Sequence, residues 1–415
     1  MTEKASIPKA DTGTEQAIAR FAKDLSEPLV PVTPDTTNTL VHQYLVKNPG
    51  VETIAVVRDG VPIGLINRHT FMEGFGRAFG RELFGRDGCT TFMFEYPLII
   101  EESATVENLV KAALDDGGGA LKDGFIVTRQ GQYVGMGTGF SLLKSMSDIE
   151  AQKTKMLMSS INYASLIQQS HLADSDRALA AYFKDYGILW DPRDVVGGDA
   201  YFFRRTSKGV LGCSFDCTGH GVPGAFMTLI VLSFFEQYFE EATIDEHADP
   251  GTALTKLHQY VRRVLQQNDE ATRKASNDGL DAFMFTLEDG STTIKYAAAK
   301  LHLIVVTPDG EISSEDGDKA GIGYFDTPAD AVWKTYEITV PQGSVMTIAT
   351  DGVIDQVGGP KKIAFGKKRI GTFVQKHLNQ SAKELVTGFQ QVYLDWQGEQ
   401  KRRDDVSIFI FRHNP

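Results

Sequence analysis

The sequence predicts an α+β protein built from several domains, because of its length and because its residue pattern changes along the chain. Its 415 residues exceed the usual size of a single domain. An internal repeat occupies part of the first half, and long β-branched runs with two helical blocks begin at about Tyr186. Between these parts, the stretch from Ser141 to Phe183 contains neither proline nor glycine, which allows one long helix.

Composition and charge limit the class of protein. Hydrophobic residues make up 42% and charged residues 23%, which is ordinary for a globular protein and excludes a disordered or collagen-like chain. The net charge of −12 argues against nonspecific binding to nucleic acid or to an anionic membrane. The chain has no apolar run of about 18 residues, and its polar start lacks the apolar core of a secretory signal. With three cysteines (Cys89, Cys213 and Cys217), we expect reduced thiols and a cytoplasmic location.

An internal repeat follows a polar segment, residues 1–26, that is predicted to be a flexible tail. The stretch VVRDGVPIGLINRHTFMEGF (56–75) aligns with VTRQGQYVGMGTGFSLLKSM (127–146). An Asp-Gly turn at Gly60 and a Gln-Gly turn at Gly131 are flanked by β-branched residues, which predicts a hairpin in each copy. We expect the two similar units to bury their apolar faces against each other.

Residues 27–148 resemble a tandem CBS domain module in this pattern of strand, helix and hairpin. In that family a Ser or Thr after the hairpin is followed three residues later by an Asp that binds the ribose of an adenine nucleotide. The matching positions here are Asn67 and Thr70 in the first repeat, and Thr138 and Ser141 in the second. Both copies lack the Asp, which argues against nucleotide binding. A structural or dimerising module and a ligand sensor both remain open.

Residues 149–180 are predicted to form a linker helix. Four apolar residues recur along it at helical spacing, namely Leu157, Ile161, Ala164 and Ile167. This stripe allows two interpretations. The helix packs on its own domain, or it forms a dimeric signalling helix that joins a sensor to an effector.

Four acidic clusters follow, each at the end of an apolar strand or in a glycine turn. They are centred on Asp199, Asp216, Asp351 and the pair Asp404-Asp405. Carboxylates held at the ends of separate strands can converge on hard divalent cations, which prefer oxygen ligands. Two such ions about 3.5–4 Å apart can activate a bridging water and neutralise a phosphoryl group. Any one cluster alone is more typical of an ordinary turn, so the interpretation depends on all four together.

The order of these motifs resembles the metal-dependent Ser/Thr protein phosphatases of the PPM family (type 2C), and more narrowly their bacterial SpoIIE and RsbU branch. The resemblance covers residues 181–415. The matching motifs are Asp191-Pro-Arg-Asp194-Val-Val-Gly-Gly-Asp199, Asp216-Cys-Thr-Gly-His-Gly-Val-Pro-Gly-Ala, Ala349-Thr-Asp351-Gly-Val and Asp404-Asp405-Val-Ser, with softer matches at Tyr296–Lys300 and Gly321–Tyr324. The resemblance implies an αββα sandwich, in which two antiparallel sheets are flanked by helices, with two Mn²⁺ or Mg²⁺ ions in the cleft.

The resemblance also implies a role for each acidic residue. Asp216 would bridge both metal ions, and Asp199 would hold one of them together with the main-chain carbonyl of Cys217. Asp351 and Asp404 would hold the other ion. The two remaining metal candidates are Asp405, the less favoured ligand of its pair, which is expected to orient its neighbours, and Asp281, expected to have a minor role or a role at a third metal.

His220 lies beside the predicted metal cluster. The functional interpretation is that it protonates the leaving alkoxide or positions the phosphate. The alternative is a turn histidine that bonds only the main chain.

These features together predict a bacterial signalling phosphatase that hydrolyses phosphoserine or phosphothreonine with a metal-activated water. From the resemblance, the expected substrate is a phosphorylated regulatory protein, a STAS-type anti-sigma-factor antagonist. The N-terminal module and the linker are expected to regulate it as a homodimer. Two alternatives are a catalytically silent adaptor with a phosphatase fold and a nucleotide-sensing module whose output is oligomerisation.

Overall fold

The computed structural model describes residues 19–240, 244–267 and 277–413. The chain divides into two compact units, Met1–Leu157 and Met158–Pro415. The division falls inside one long helix, within the segment that the sequence predicts to be a linker. No helix in the described ranges has an apolar stretch long enough for a lipid bilayer.

The predicted flexible tail ends earlier than residue 26. Residues 1–18 lie outside the described part of the chain, but the segment Ala22–Leu25 forms a short 3-10 helix. Ala22 is completely buried with Val106 and Leu109, and its amide donates to the carbonyl of Ala104 at 2.8 Å. The small apolar side chain of Ala22 is therefore anchored in the core, although the polar residues around it suggested a tail.

The first unit contains short strands and helices. In chain order they are α1 Asn38–Lys47, β1 Thr53–Arg58, β2 Val61–Asn67, α2 Arg68–Phe75, α3 Gly80–Phe84, β3 Ile99–Glu101, α4 Val106–Asp115, α5 Gly119–Asp123, β4 Phe125–Arg129 and β5 Gln132–Gly137, with a 3-10 helix at Cys89–Phe92.

The two predicted hairpins are present and share one geometry. Strands β1 and β2 pair antiparallel, as do β4 and β5, and each pair has a register shift at the same place in the repeat. Both central residues of each turn have positive φ: Asp59 52°, Gly60 81°, Gln130 51° and Gly131 77°. Two consecutive left-handed residues match the right-handed twist of the flanking strands.

Each hairpin pairs with the segment that leads into the other repeat, and the two repeats share a buried core. Leu65 of the first hairpin bridges to Phe94, and Met136 of the second bridges to Glu27. Phe94 and Glu27 each lie shortly before the Pro-Leu pair that opens a repeat, so each hairpin pairs with the segment leading into the other copy. A buried cluster between the hairpins contains Ala55, Val57, Leu65, Ile126 and Met136. The two repeats of the first unit therefore bury their apolar faces on each other, as the sequence predicts.

The long helix α6 spans Gly139–Tyr182, 44 residues. Its buried face in the second unit consists of Ser165, Gln168, Leu172, Ser175 and Leu179. The predicted stripe is not this face. Leu157 is 65% and Ile167 36% exposed, and only Ile161 and Ala164 are half-buried. Hydrophobic spacing missed the true face because three of its five residues are polar.

The second unit contains the remaining elements. They are β6 Tyr186–Asp191, β7 Asp199–Arg205, β8 Gly209–Cys217, α7 Gly221–Tyr238, α8 Ile244–His247, α9 Pro250–Val264, β9 Leu280–Glu288, β10 Thr293–Ala299, β11 His302–Val306, β12 Ile312–Asp316, β13 Tyr336–Thr339, β14 Val345–Ala349, α10 Asp351–Ile354, β15 Val357–Gly358, β16 Ile363–Ala364, α11 Lys367–Lys376, α12 Ala382–Gln397 and β17 Val406–Arg412.

Two five-stranded antiparallel sheets form the body of this unit. Their strand orders are β13-β10-β9-β8-β7 and β12-β11-β14-β17-β6. The sheets pack through aromatic pairs, such as Phe203 with Phe409 at 5.0 Å and Phe285 with Phe411 at 5.5 Å between ring centroids. Helices α7 and α9 cover the first sheet, and α11 and α12 cover the second. The αββα sandwich that the resemblance implied is therefore confirmed.

Candidate active site

The first sheet aligns three carboxylates in a row. Asp199 begins β7 and pairs in register with Asp216 of β8, which in turn pairs with Asp281 of β9. Residues directly opposite each other in antiparallel strands lie on the same face of a sheet. Along β8, Ser214 lies against residues of the second sheet while Phe215 packs on α7. Because side chains alternate, Asp216 faces the space between the two sheets.

The second sheet supplies two further carboxylates to the same end of the sandwich. Asp351 begins α10 directly after β14, and Asp404 precedes β17, the neighbour of β14. Thr350 joins the two sheets here, since its hydroxyl donates to Asp199 Oδ2 at 2.7 Å. The carboxylates of Asp351 and Asp199 are each close enough to Asp216 to hydrogen-bond with it when one group is protonated.

Crowding of like charges perturbs these acids. Burial, opposed by the bond from Thr350, raises the pKa of Asp199 to about 7. Burial and the negative charges of Asp199 and Asp351 raise the pKa of Asp216 well above its usual range. Loss of hydration and the charge of Asp404 raise the pKa of Asp351, although the residue as a whole stays exposed. These carboxylates therefore lack an opposite charge that would stabilise their ionised forms.

Asp405 has a different surrounding from its neighbour Asp404. It is 2% exposed, and its two carboxylate oxygens accept from the amides of Arg193 and Gly198, each at 2.6 Å. Both oxygens are thus occupied by the loop that leads to Asp199. This geometry agrees with the expectation that Asp405 orients its neighbours.

The Cys217 main chain passes closely over the same loop. A Cβ placed on Gly198 would lie 2.6 Å from the carbonyl oxygen of Cys217, so only glycine allows this approach. The Cys217 thiol is buried, and burial followed by the charge of Asp216 raises its pKa well above the usual range. The carbonyl rather than the thiol is the group of Cys217 with the chemistry of a hard-cation ligand.

His220 caps the start of α7 and faces a carboxylate rather than the main chain. Its Nδ1 lies 3.0 Å from Asp194 Oδ2, and the two side chains are 43% and 48% exposed. The Asp194 carboxylate orients the imidazole. Arg193 is held in another way, because its guanidinium donates to the carbonyl of Arg403 at 2.9 Å.

Asp281 is joined to a cation of the chain itself. Lys300 Nζ lies 3.1 Å from Asp281 Oδ1 and 4.4 Å from the centre of the Tyr324 ring. Burial nonetheless raises the pKa of Asp281. The predicted third-metal role thus competes with an ion pair. Lys300 and Tyr324 appeared in the sequence only as soft family matches, and no spacing rule brings them together with Asp281.

Sequence reasoning missed two hydrogen-bonding residues that hold the loop before Asp199. The Gln168 side chain of α6 is fully buried and donates to the carbonyl of Gly197 at 2.8 Å. The hydroxyl of Thr228 in α7 donates to the carbonyls of Gly197 and Gly198, at 3.2 and 2.9 Å. Neither contact leaves a signal in the sequence, because the partners are main-chain atoms distant along the chain.

The donor chemistry of this cleft fits divalent metal ions. Its acids are carboxylates, of which Asp199, Asp216 and Asp351 have raised pKa values, and Asp281 is paired with Lys300. Hard cations prefer such oxygens. Within the described ranges, no three His, Cys, Asp or Glu side chains are arranged as a ready-made metal site. The fit therefore rests on donor type, charge and convergence.

Comparison with known proteins identifies the family. The family model described as stage II sporulation protein E (SpoIIE) matches residues 209–414. The solved SiaA PP2C domain of Pseudomonas aeruginosa is 32% identical, with a TM-score of 0.56, and the match covers 64% of this chain and all of that domain. The chain belongs to the SpoIIE family of PP2C-type phosphatases. This SpoIIE-type enzyme is a protein serine/threonine phosphatase.

Two other solved structures resemble the SpoIIE-type chain more distantly. The phosphatase domain of SpoIIE from Bacillus subtilis, solved with a fragment of its regulatory domain, is 13% identical, with a TM-score of 0.43 and coverage of 55% of this chain and 63% of that one. The RsbU and RsbW domains of a Mycobacterium tuberculosis protein are 16% identical, with a TM-score of 0.43 and coverage of 56% and 62%. No curated protein matches the chain.

The raised pKa of Asp199 predicts a pH-dependent stability. Without metal, the folded state binds a proton that the unfolded state releases between about pH 4 and pH 7, so stability falls as pH rises through this range. From pH 5 to pH 8 in EDTA we expect the free energy of unfolding to fall by about 2–4 kcal/mol. Mn²⁺ should restore more stability at pH 8 than at pH 5.

Urea unfolding followed by tryptophan fluorescence measures the free energy of unfolding of the second unit, because Trp190, Trp333 and Trp396 all lie there. Asp199→Asn is the control and should flatten the metal-free pH dependence. The same slope in the variant and in the wild type would contradict the assignment to Asp199.

Proposed function

We propose that this phosphatase is metal-dependent and dephosphorylates a phosphorylated regulatory protein in bacterial signalling. The observation that carries the proposal is the convergence of Asp199 and Asp216 from one sheet with Asp351 and Asp404 from the other. A cleft with this much unbalanced negative charge would repel a phosphate dianion unless cations were bound. Bound metal cations would offset both the repulsion among the carboxylates and the repulsion between the cleft and the phosphate.

The proposed ligand set follows the positions in the cleft. Asp216, whose charge interacts with Asp199, Asp351 and Asp404, would be a ligand common to both ions. Asp199 and the carbonyl of Cys217 would help to hold one ion, and Asp351 and Asp404 would help to hold the other. When bound, two Mn²⁺ or Mg²⁺ ions would supply a water of lowered pKa and charge neutralisation for the phosphoryl group.

His220 is the proposed general acid. The Asp194 carboxylate holds its Nδ1, which sets the ring orientation. At the N-terminus of α7, the imidazole lies at an exposed position from which it can give a proton to a leaving alkoxide. Asp405 completes the site as a positioning residue, because it fixes the loop that carries Asp199.

The substrate proposal is a phosphorylated STAS-type anti-sigma-factor antagonist, and it rests on the resemblance to the SpoIIE and RsbU branch. We place the protein in the cytoplasm. The three cysteines are unpaired and buried, which supports a reducing compartment.

We also propose that α6 couples the N-terminal module to catalysis. Gln168 reaches the main chain of Gly197, two residues before Asp199, so the position of this helix influences a metal ligand. Residues 27–148 would act as the CBS-like regulatory module, supported by the duplicated hairpins and exchanged segments.

A homodimer formed through α6 completes the regulatory proposal. Several large apolar side chains of this helix are strongly exposed, with Leu157 65%, Tyr163 67% and Leu166 63% accessible. Exposed apolar side chains at this density on one helix are typical of a contact surface.

The adaptor alternative requires a damaged metal site, but Asp199, Asp216, Asp351 and Asp404 are all present. The nucleotide-sensing alternative predicts tight binding of an adenine nucleotide to residues 27–148. Asn67 occupies the position of the family's Ser or Thr and donates to Asp123 at 2.8 Å, so a protein contact already uses this side chain.

The first prediction from the proposed metal site concerns Asp216. Asp216→Asn removes the bridging carboxylate, and we expect kcat/KM for a phosphoserine peptide with Mn²⁺ to fall at least about a hundredfold, because even outer metal-site residues cost 10- to 100-fold. EDTA should abolish wild-type turnover. Asp289→Asn, an exposed carboxylate just beyond the opposite end of β9, is the matched control. Full activity of Asp216→Asn or in EDTA would refute the metal mechanism.

A second prediction concerns the helix contact to the metal loop. Gln168→Ala leaves the Gly197 carbonyl with one side-chain partner fewer, so we expect the Mn²⁺ concentration for half-maximal activity to rise about tenfold. Gln169→Ala is the matched control, because Gln169 is exposed and bonds only Ser165 among the described residues. An unchanged Mn²⁺ requirement in Gln168→Ala would show that α6 does not order the loop.

A third prediction concerns assembly. Light scattering of the full chain at micromolar concentration should give the mass of two copies, and Leu166→Glu should shift the mass towards one copy because it places a charge in the apolar contact. A single-copy mass for the wild type, or a dimer unaffected by Leu166→Glu, would overturn the proposed contact.

A further inference from the structure

Lys300 has a conformation that is unusual for its position. Strand β10 ends at Ala299, and the next residue, Lys300, has φ of +58°. A left-handed residue other than glycine costs free energy and is often kept where it serves a site. Two main-chain hydrogen bonds hold this bend. The Lys300 amide donates to the carbonyl of Asp318, and the Asp318 amide donates to the carbonyl of Ala298, both at 2.8 Å.

The bend places the ammonium group beside the acidic cleft. Its Nζ lies 3.1 Å from Asp281, the register partner of Asp216. Opposite residues in an antiparallel pair have Cβ atoms about 4.5–5.5 Å apart, so Lys300 Nζ lies within one side-chain length of the proposed bridging acid. The pKa of Tyr324, whose ring Lys300 covers, is raised by burial and by the charges of Asp281 and Asp216.

Two arginines near the cleft donate to the protein: Arg193 to the main chain of Arg403, and Arg402 to the main chain and the carboxylate of Asp191. Lys300 keeps 43% of its side chain exposed. An ammonium has three donors, and the contacts with Asp281 and with the face of Tyr324 leave capacity for a ligand.

We propose that Lys300 binds a phosphoryl oxygen of the substrate and of the inorganic phosphate product, with Asp281 and Tyr324 as the residues that position it. A cleft lined by carboxylates needs a fixed cation of its own, because bound metal ions alone leave the outer phosphoryl oxygens facing negative charge. Asp281 in this arrangement serves the lysine rather than a third metal. The inference rests on the proposed metal-assisted reaction of the same cleft.

The test measures phosphate binding and turnover in the full chain. Calorimetry gives the Kd of inorganic phosphate for the Mn²⁺-loaded protein, and steady-state assays give kcat/KM for a phosphoserine peptide. For Lys300→Gln we expect the phosphate Kd to rise and kcat/KM to fall, each about 10- to 100-fold, as for loss of a charge-assisted hydrogen bond. Lys300→Arg should restore most of both losses.

Lys295→Gln is the matched control, because Lys295 lies on β10, the strand that precedes Lys300, has a similar exposure and pairs with Glu337 at 3.9 Å. It should leave both quantities unchanged. Unaltered phosphate Kd in Lys300→Gln would overturn the inference, and so would an equal loss in Lys300→Arg or a loss of Mn²⁺ affinity, which would indicate a structural role. Wild-type inactivity, by contrast, would count against the metal-assisted reaction, and the calorimetric Kd would still decide for or against Lys300.

Discussion

Mutual repulsion among carboxylates is the constraint on which the catalytic unit depends. Asp199 and Asp216 lie within hydrogen-bonding reach of each other. Asp199 is buried and Asp216 is partly buried. Such an arrangement opposes folding unless the surrounding structure enforces it. The paired register of β7 and β8 fixes the two side chains on one face, and the Thr350 hydroxyl joins Asp199 to the other sheet. A sandwich of two sheets is well suited to this task, because each rigid sheet carries its own acids to a common edge.

The loop before Asp199 concentrates the contacts that hold this arrangement. Gln168 from α6, Thr228 from α7 and Asp405 from the strand β17 region all bond its main chain. Three separate elements thus meet on two glycines, so a displacement of any one of them is transmitted to a proposed metal ligand. The polar face of α6 has its physical explanation here, since leucine or isoleucine at position 168 could not satisfy the buried main-chain groups of Gly197.

Charge balance connects the proposed chemistry with the softer motifs of the chain. The acids of the cleft favour metal cations but oppose an incoming phosphate, and an enzyme of this type must accommodate both. Lys300 contributes the positive charge from a strained bend, and Asp281 and Tyr324 hold it. In the proposed reaction the carboxylates would hold the metal ions, and the Lys300 ammonium would bind the phosphate.

The sequence predicted the two hairpins from their turn residues and the long helix from its lack of proline and glycine, which are local signals. The sandwich and the set of acidic residues followed from the family resemblance that the order of the motifs carries. Tertiary structure alone decided which face of α6 is buried, since Ser165, Gln168 and Ser175 are polar and carry no hydrophobic period. Gln168 and Ser175 bond main-chain atoms far along the chain. Tertiary structure also decided the different surroundings of Asp404 and Asp405, which are identical and adjacent in sequence. Only the position of the Gly198 and Arg193 amides distinguishes them. Contacts of this kind depend on the closing of the two sheets, which no local pattern records.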